Sequence, residues 1–533
     1  MLEPPTGTIV ISPSREKWND FGHRIRVDVV INPRPGPFYN PIQVTGFIAF
    51  IDGDERSQGM HALETLFIDR ASTKISAEEF SFYTMLSDIG GYRAIVSTVG
   101  AVEALRILAA MNDVVEAEYS GIGRAWLKVA IEENLFKNGF LRTTEAYFAW
   151  KNAGMILRGV EMEEVGRLSE TLRIRFQLAG RPNDHDLTFR FAMHEPLLPK
   201  RFAVLIGKNG VGKSQTLGAI ARAAILGRNN LTDGDGDRPL FNRILAFYPT
   251  AVASDTFPAE RRRGSRVWYR RFSLGGAGYG RSRRATADLI VELARTGESI
   301  RDVHRFDIFR SALTALDRAD ELAFVTRLPG QAVRLTELLE GGERNRLDRF
   351  SGIDGKADIV RLIAGQTYPL SSGEAGFVRF AALASLHIEN SSLLLFDEPE
   401  THLHPNFISQ FVALLDKLLE QTGSAAIIAT HSVYFVREAF EDQVRVLRSE
   451  QDRKVVVETP NLRTFGADVG AVSYFVFGED EPSRLAQSVE AQIADLGASW
   501  EEVYELYKDR LSLELLGEIR ARIEGLDQAP ARS

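Results

Sequence analysis

The chain has 533 residues, of which 44% are hydrophobic, 26% charged and 9% aromatic; its formal net charge is -8 and it has no cysteine. This composition excludes disordered and collagen-like chains, and the lack of cysteine excludes disulfides, thiolate metal sites and cysteine nucleophiles. No run of about 18 apolar residues predicts a membrane-spanning helix, and residues 1–5 lack the features of a signal peptide. We therefore expect a cytoplasmic protein with no membrane partner.

Residues 1–165 are expected to form an α+β accessory region whose function the sequence does not indicate. The run Thr45–Ile51 predicts a buried strand. Ser76 and Glu79 have the spacing of a capping box, which predicts a helix through Phe80, Tyr83 and Leu86 that breaks at Gly90-Gly91. Two further helices are expected over Val102–Ala110 and Ala125–Leu135.

The next part of the chain has the alternating and continuous apolar patterns of strands. Alternation over 172–178 and 187–193 predicts two half-buried strands, and Phe202–Ile206 predicts a fully buried one. Near the C-terminus, Leu485, Val489, Ile493 and Leu496 share one helical face, and Ser499 with Glu502 forms a second capping box. The last fifty residues are therefore expected to be helical.

A phosphate-binding motif follows the buried strand. The sequence Gly207–Ser214 (GKNGVGKS) matches G-x-x-x-x-G-K-[ST] and precedes the helix-compatible segment Gln215–Ala224. In such a loop, backbone N–H groups and the helix N-terminus surround the phosphates, the lysine reaches the β- and γ-phosphates, and the serine hydroxyl ligates Mg²⁺. The alternative is a glycine-rich turn that binds no nucleotide. The candidate nucleotide-binding residues are Gly207, Asn209, Gly210, Gly212, Lys213, Ser214 and Gln215.

A pair of acids ends a second apolar strand, Ser392–Glu398. At the carboxyl end of this strand, Asp397 can hold Mg²⁺ together with Ser214, and Glu398 can accept a proton from the attacking water. An apolar strand that ends in Asp-Glu is common, so this assignment depends on the phosphate-binding motif upstream.

Two further motifs resemble those of ABC-type ATPases. Leu370-Ser371-Ser372-Gly373-Glu374 is similar to their signature motif, and Ala429-Thr430-His431-Ser432 is similar to their switch-histidine loop. The four motifs occur in the order of that superfamily, and the resemblance covers about residues 170–480. The LSSGE form and the run 397–405 (DEPETHLHP) resemble the soluble branch that contains the SMC, RecF and OLD ATPases more than transporter subunits.

The resemblance implies an α/β fold with an ABC-type ATPase domain over 166–480, an inserted lobe at about 228–365 and a helical segment over 481–533. It implies ATP and Mg²⁺ as cofactors, with Lys213, Glu398 and His431 as catalytic residues. Two heads would clamp ATP between them, so that Ser371 and Gly373 of one copy meet the γ-phosphate held by the other. The alternative for His431 is a buried structural histidine, and His402 with His404 would belong to the subunit contact rather than to a metal site.

The sequence departs from the family in one motif. The segment that corresponds to the Mg²⁺-contacting glutamine loop is Arg243–Phe257, and it contains no glutamine. The residue that replaces this glutamine is not indicated.

An arginine-rich segment lies in the inserted lobe. It has nine arginines between Arg261 and Arg284, interleaved with Trp268, Tyr269, Phe272 and Tyr279. This mixture is suited to a nucleic-acid backbone or an acidic partner protein, and a strand with solvated arginines is the alternative. The acidic run Asp233–Asp237 imitates the start of a calcium-binding loop, but its later positions do not fit, so we expect a turn.

We expect no Toprim nuclease of the OLD type, because only about fifty mostly helical residues follow the ATPase motifs. The arrangement is similar to the ATPase subunits of anti-phage systems such as Septu and the retron-associated PtuA proteins, which implies a separate effector, a nuclease or a toxin. We therefore expect an ATP-dependent assembly switch that regulates such an effector. The alternatives are a RecF-like DNA-repair ATPase, a nucleotide-gated scaffold with little hydrolysis, and a transporter motor.

Overall fold

The computed structural model describes most of the chain. The described residues are 8–14, 25–33, 41–50, 82–121, 125–160, 168–192, 201–249, 256–260, 265–274, 284–296, 298–328, 330–402, 405–450, 452–477, 484–494 and 498–524. The chain divides into two compact units, Met1–Gly466 and Ala467–Ser533. None of the helices in these ranges combines the length and apolar character needed to cross a membrane.

A seven-stranded sheet forms the centre of the first unit. Its strands, in spatial order, are β10 (Trp268–Ser273), β9 (Arg243–Tyr248), β17 (Leu393–Asp397), β18 (Ala425–Thr430), β7 (Phe202–Gly207), β19 (Val444–Ser449) and β20 (Val455–Glu458). All neighbouring pairs are parallel except the edge pair β19–β20. Strands β7, β17 and β18 are buried along their whole length, which explains their continuous apolar sequences. The α/β fold and the strands expected around these motifs are confirmed.

The parallel arrangement brings the chemically distinctive residues to one edge. Ile206 pairs with Thr430, and Asp397 pairs with Ala429, so the ends of β7, β17 and β18 are adjacent. Helix α7 (Lys213–Leu226) follows β7 and packs on β17 and β18. In open parallel sheets, ligands bind at the carboxyl ends of strands, which is the edge these residues occupy.

Smaller antiparallel sheets flank the central one. Strands β5 (Thr171–Gln177) and β6 (Asp184–Arg190) form a hairpin, as the alternating patterns predict. Strand β8 (Leu231–Thr232) pairs with β5 on the other side. A four-stranded sheet in the order β14-β13-β15-β16 precedes the signature motif. Its strands are β13 (Leu322–Val325), β14 (Ala332–Arg334), β15 (Val360–Ile363) and β16 (Gln366–Pro369), and a two-stranded ribbon joins β11 (Ser299–Ile300) to β12 (Val303–His304).

The remaining helices that follow α7 in the first unit pack around these sheets. They are α8 (Thr286–Arg295), α9 (Arg305–Leu313), α10 (Glu343–Gly352), α11 (Ser372–His387), α12 (Pro405–Thr422) and α13 (Val433–Val436). Helix α11 begins in the signature motif and contacts α8, α9 and α12.

The N-terminal region combines a sheet with helices, as expected. Its antiparallel strands occur in the order β1 (Thr8–Pro13), β2 (Arg26–Asn32), β3 (Ile42–Phe50) and β4 (Phe82–Leu86). Its helices are α1 (Ile89–Val99), α2 (Ala101–Ala110), α3 (Val114–Ser120), α4 (Ala125–Glu132), α5 (Asn134–Asn138) and α6 (Thr144–Ile156). One apolar core joins the strands to the helices.

One helix prediction in this region is wrong. Tyr83 and Leu86 lie on β4, where all five residues are buried and pair with β3, while Ser76 and Glu79 lie outside the described residues. A short apolar run buried on both faces has no periodicity that separates strand from helix. Gly90 and Gly91 lie in the first turn of α1, which Asp88 caps by accepting from the Gly91 amide. The helix expected over Ala125–Leu135 divides at Glu133 into α4 and α5.

The N-terminal region is held by polar contacts to the part of the first unit that contains the seven-stranded sheet. Arg238 donates to the carbonyl oxygen of Leu141 and to the Thr144 hydroxyl, at 2.9 and 3.0 Å. Arg93 of α1 pairs with Glu389, which precedes β17, at 3.1 Å. Two positively charged side chains therefore fix this interface at separate points.

The second unit is helical, as predicted. It contains α14 (Val469–Phe477), α15 (Arg484–Ala494), α16 (Trp500–Tyr507) and α17 (Leu513–Ile523). Ser499 and Glu502 form the expected capping box at the start of α16, and Ile493, Val503 and Ile519 form the core. The divisions at 165 and 480 remain predictions.

Candidate functional site

The phosphate-binding loop connects β7 to α7. Gly210 and Gly212 have φ angles of 80° and 105°, a conformation that side chains with a Cβ atom rarely adopt. A Cβ on Gly212 would also lie 2.7 Å from the Leu178 side chain. The loop therefore requires glycine at both positions, and its exposed residues include Asn209. The backbone geometry is that of a loop built to surround an anion.

Lys213 is buried at the base of this loop. Its side chain is 4% exposed, and its ammonium donates to the carbonyl oxygens of Gly207 and Lys208 at 2.9 and 3.3 Å. Its Nζ atom lies 3.9 Å from Glu398 Oε1. Burial lowers the pKa of Lys213, and the nearby carboxylates oppose this shift. A lysine held in this way is a preorganised positive charge beside the loop.

Asp397 is bound by two hydroxyl groups. Ser214 Oγ donates to its Oδ1 atom at 2.8 Å, and Thr256 Oγ1 donates to its Oδ2 atom at 3.1 Å. Burial raises the pKa of Asp397, and these two hydrogen bonds oppose the shift. Hydroxyl and carboxylate oxygens are ligands that Mg²⁺ prefers, so the residues fit a magnesium site completed by substrate phosphates. No cluster of three or more His, Cys, Asp or Glu side chains suited to a metal occurs among the described residues.

Thr256 was not indicated by any sequence motif. It lies in the segment where the expected glutamine is missing, and its backbone packs so closely on α7 that a Cβ on Gly218 would lie 2.3 Å from its carbonyl oxygen. The signal that could have located it is topological. Strand β9 is the parallel neighbour of β17, so the chain that leaves β9 reaches the edge occupied by Asp397.

Glu398 has a strained backbone directly after β17. Its φ angle is 44°, which costs a residue with a side chain about 1 kcal/mol or more. Its amide donates to the Ala429 carbonyl oxygen at 2.8 Å, and its own carbonyl accepts from the Thr401 hydroxyl at 2.9 Å. These bonds fix the turn, and the side chain is 32% exposed.

His431 and Glu400 complete this edge of the sheet. The His431 Nδ1 atom lies 3.7 Å from Glu398 Oε1 and 3.1 Å from Glu400 Oε1, and the ring is 47% exposed. His431 is therefore not a buried structural histidine. Glu400 was not identified from the sequence, although it lies only two residues after Glu398.

A cavity of about 320 Å³ adjoins the phosphate-binding loop. Arg181 crosses it, because its guanidinium donates to the carbonyl oxygens of Gly210 and Arg453 at 2.9 and 3.1 Å. Gln215 accepts from the Ala179 amide at 3.1 Å and so connects α7 to the β5–β6 loop. The described lining residues include no aromatic side chain; they are Leu178, Ala179, Gly180, Arg181, Gly210, Gly212, Gln215 and Arg453.

The signature motif begins helix α11. Ser371 caps α11 through a capping box with Glu374, and Gly373 is buried in the first turn. No hydrogen bond or ion pair between described residues joins Ser371 or Gly373 to the phosphate-binding loop. Hydrogen bonds and ion pairs bring together Gly207, Lys213, Ser214, Asp397, Glu398 and His431, and among the described residues they do not include Ser371 or Gly373.

The arginine-rich segment is only partly within the described residues. Arg270 and Arg271 lie on the edge strand β10, whereas Arg261–Arg263, Tyr279, Arg281 and Arg283 lie outside the described part. Arg271 donates to the Phe257 carbonyl oxygen at 3.1 Å, and Arg284 pairs with Asp288 at 2.6 Å. These arginines have protein partners. The acidic run after β8 is a turn, as expected, with Asp233 accepting from the amides of Asp235 and Asp237.

The structure defines an α/β domain with a parallel-sheet core and a phosphate-binding loop between β7 and α7. Residues 202–437 match the family model described as "AAA domain, putative AbiEii toxin, Type IV TA system". The match begins at β7 and ends after the switch histidine, so it contains every predicted site residue.

Relatives and solved structures give more distant similarities. The chain is 26% identical over 432 residues to protein ea59 of Escherichia phage lambda, covering 74% of this chain and 80% of that protein. It is 32% identical over 100 residues to the arginine transport ATP-binding protein ArtM of Bacillus subtilis, covering 18% and 38%. The structure of cbiO1 from Clostridium perfringens, part of the ABC transporter complex cbiONQ, is 14% identical and covers 61% and 96%. Its TM-score of 0.29 is too low to assign a role to any element here.

Proposed function

We propose that this chain binds ATP with Mg²⁺, hydrolyses it and uses the cycle to open and close a pair of heads. The observation that carries the proposal is the convergence of Lys213, Asp397, Glu398 and His431 on one edge of a parallel sheet, beside a loop with anion-binding geometry. Such a set supplies the positive charge, metal ligand and proton acceptor that phosphoryl transfer needs.

The chemistry assigns a role to each of these groups. Lys213 offsets charge on the β- and γ-phosphates, and Mg²⁺ held by Ser214 and Asp397 would add further positive charge there. Glu398 takes a proton from the attacking water as the new bond to the γ-phosphorus forms and the bond to the β-phosphate oxygen breaks. The products are ADP and phosphate. The nucleoside would lie in the cavity that adjoins the phosphate-binding loop.

The pairing of heads is proposed from the resemblance of the signature motif to that of ABC-type ATPases, and among the described residues Ser371 and Gly373 make no hydrogen bond or ion pair to the phosphate-binding loop. In a pair, Ser371 and Gly373 would face the γ-phosphate bound by the other copy, where the N-terminus of α11 favours an anion. A bound triphosphate would then stabilise the closed state by making contacts that the open state lacks.

The biological setting is proposed to be control of a separate effector, a nuclease or toxin, in anti-phage defence. The matching family, described as a putative AbiEii toxin of a type IV toxin–antitoxin system, and the relative in a bacteriophage support a role in conflict between phage and host. A nucleic-acid role for Arg261–Arg284 has less support, because Arg271 and Arg284 bind protein groups. Salt-dependent DNA affinity that is lost when this segment is neutralised would favour the RecF-like alternative instead.

The direct test is phosphate release by the wild type, Glu398→Gln and Lys213→Ala. We expect Glu398→Gln to retain ATP affinity and lose at least 100-fold in rate, because it keeps the size of the side chain but not its basicity. Lys213→Ala is expected to lose ATP binding itself. Glu441→Gln, which removes a carboxylate outside the site, is the control and should match the wild type. A wild type that pairs with ATP but releases no phosphate would support the scaffold alternative and contradict hydrolysis.

A further inference from the structure

Glu400 is a buried carboxylate that the proposed reaction does not use. Its side chain is 6% exposed, and burial raises its pKa against the hydrogen bonds that it accepts. Its Oε2 atom is buried with no hydrogen-bond partner in the described part of the chain. Burying a carboxylate that is only partly satisfied is costly, so stability alone does not explain a glutamate here.

All the contacts of Glu400 Oε1 lead to the switch-histidine loop. The atom accepts from the His431 amide at 2.8 Å and from the Thr430 hydroxyl at 2.5 Å, and it lies 3.1 Å from His431 Nδ1. Thr430 in turn accepts from the Ser432 amide at 2.9 Å. A single carboxylate oxygen thus contacts both the backbone and the ring of His431.

The His431 ring lies between the carboxylates of Glu400 and Glu398, so its Nδ1 atom can be held by either one. Nδ1 is closer to Glu400 than to Glu398, at 3.1 Å against 3.7 Å. An imidazole held at Nδ1 by Glu400 presents only Nε2 to a substrate, and it leaves the Glu398 carboxylate unshared and able to accept a proton from water.

We propose that Glu400 is a positioning residue that holds His431 Nδ1, so that the ring is oriented toward the γ-phosphate and Glu398 is kept free as the base. This inference rests on the proposed ATPase function. In known catalytic sites, a carboxylate that binds Nδ1 fixes the orientation of the imidazole and takes no part itself as acid or base. Glu400 acts through His431 and does not touch the substrate.

A double-mutant cycle tests this role. Single-turnover hydrolysis of ATP is measured for the wild type, Glu400→Gln, His431→Gln and the double variant, with ATP affinity measured alongside. We expect Glu400→Gln to lower the rate about 10- to 100-fold, the range seen when outer supporting groups are removed, with affinity nearly unchanged. The double variant should be no slower than His431→Gln alone, because the effect of Glu400 passes through the ring.

The controls separate positioning from folding and from failure of the ATPase proposal. Glu438→Gln, which removes a carboxylate bonded to Ser409 outside the site, should match the wild type. Glu400→Asp keeps the charge and should recover part of the rate, and it replaces Glu400→Gln in the cycle if that variant does not fold. The inference about Glu400 is overturned if the rate losses of the two single variants add in the double variant, or if Glu400→Gln hydrolyses ATP at the wild-type rate. In either case, hydrolysis by the wild type still supports the ATPase proposal. A wild type without hydrolysis overturns both.

Discussion

At the scale of single residues, the proposed Mg²⁺ site includes a threonine as well as the motif residues. Thr256 and Ser214 each donate to one oxygen of Asp397, so both carboxylate oxygens are oriented by hydroxyl groups. Because ligands with fixed orientation bind Mg²⁺ better, the threonine is expected to affect metal affinity even if it never contacts the ion.

Thr256→Ala should raise the Mg²⁺ concentration needed for half-maximal nucleotide binding and hydrolysis by about 10-fold, because one Asp397 oxygen loses its hydrogen bond. Thr256→Ser keeps the hydroxyl and serves as the matched variant, for which we expect values close to the wild type. The measurement is a Mg²⁺ titration of nucleotide affinity by calorimetry, repeated with phosphate release. Equal titration curves for all three proteins would exclude this role.

The site could be predicted from the sequence where a residue belongs to a contiguous motif. Lys213, Ser214, Asp397 and Glu398 occur in short patterns whose chemistry dictates the spacing, and the structure brings them together. Thr256 could not be predicted, because its place follows from the pairing of β9 with β17. Glu400 was missed because only its burial and its distance from His431 distinguish it from a surface glutamate.

At the scale of elements, an arginine anchors the signature motif from the four-stranded sheet β14-β13-β15-β16, which we call the inserted sheet. Arg361 of β15 pairs with Glu374 at 2.5 Å and with Glu321 at 3.0 Å. Glu374 in turn accepts from the amide and hydroxyl of Ser371 at 2.9 and 2.8 Å. Burial opposes ionisation of Glu374, but the bonds from Arg361 and Ser371 outweigh it and lower its pKa. The inserted sheet thus fixes the N-terminus of α11.

Arg361→Gln should weaken ATP-dependent pairing about 10-fold, because Ser371 is no longer held through Glu374. We expect ATP affinity of the single copy to stay unchanged, since the arginine is not bonded to the phosphate-binding loop. Arg344→Gln on the exposed face of α10 is the control. The measurement is the association constant in the Glu398→Gln background; an unchanged constant would contradict a role for the inserted sheet in closing the pair.

Strands could be predicted where the pattern of apolar residues in the sequence reflects which faces of the strand are buried. The strands of the central sheet are continuous apolar runs next to turns, and the hairpin β5–β6 alternates because only one of its faces is buried. Strand β4 was not predictable. Its residues Phe82–Leu86 are all buried, so the partner β3 rather than local periodicity decides their conformation.

At the scale of the whole first unit, one helix connects the signature motif to the N-terminal region. Helix α11 has 16 residues and spans about 24 Å. Near its C-terminal end, Glu389 pairs with Arg93 of α1 and Arg305 of α9, at 3.1 and 3.0 Å. Burial would raise the pKa of Glu389, but the two arginines outweigh it and lower the pKa to about 2. The N-terminal region therefore contacts the part that contains the seven-stranded sheet at the point where helix α11 ends.

The proposed pairing, in which ATP holds two copies together, is tested by the mass of the Glu398→Gln protein in solution, measured by sedimentation. With ATP and Mg²⁺ we expect twice the mass of the single chain, and with ADP the single mass, because only the triphosphate has a γ-phosphate to meet Ser371 and Gly373. Ser371→Arg, which places bulk and positive charge at this contact, should remain single while still binding ATP. A protein that binds ATP and keeps the same mass in every nucleotide state would contradict the account.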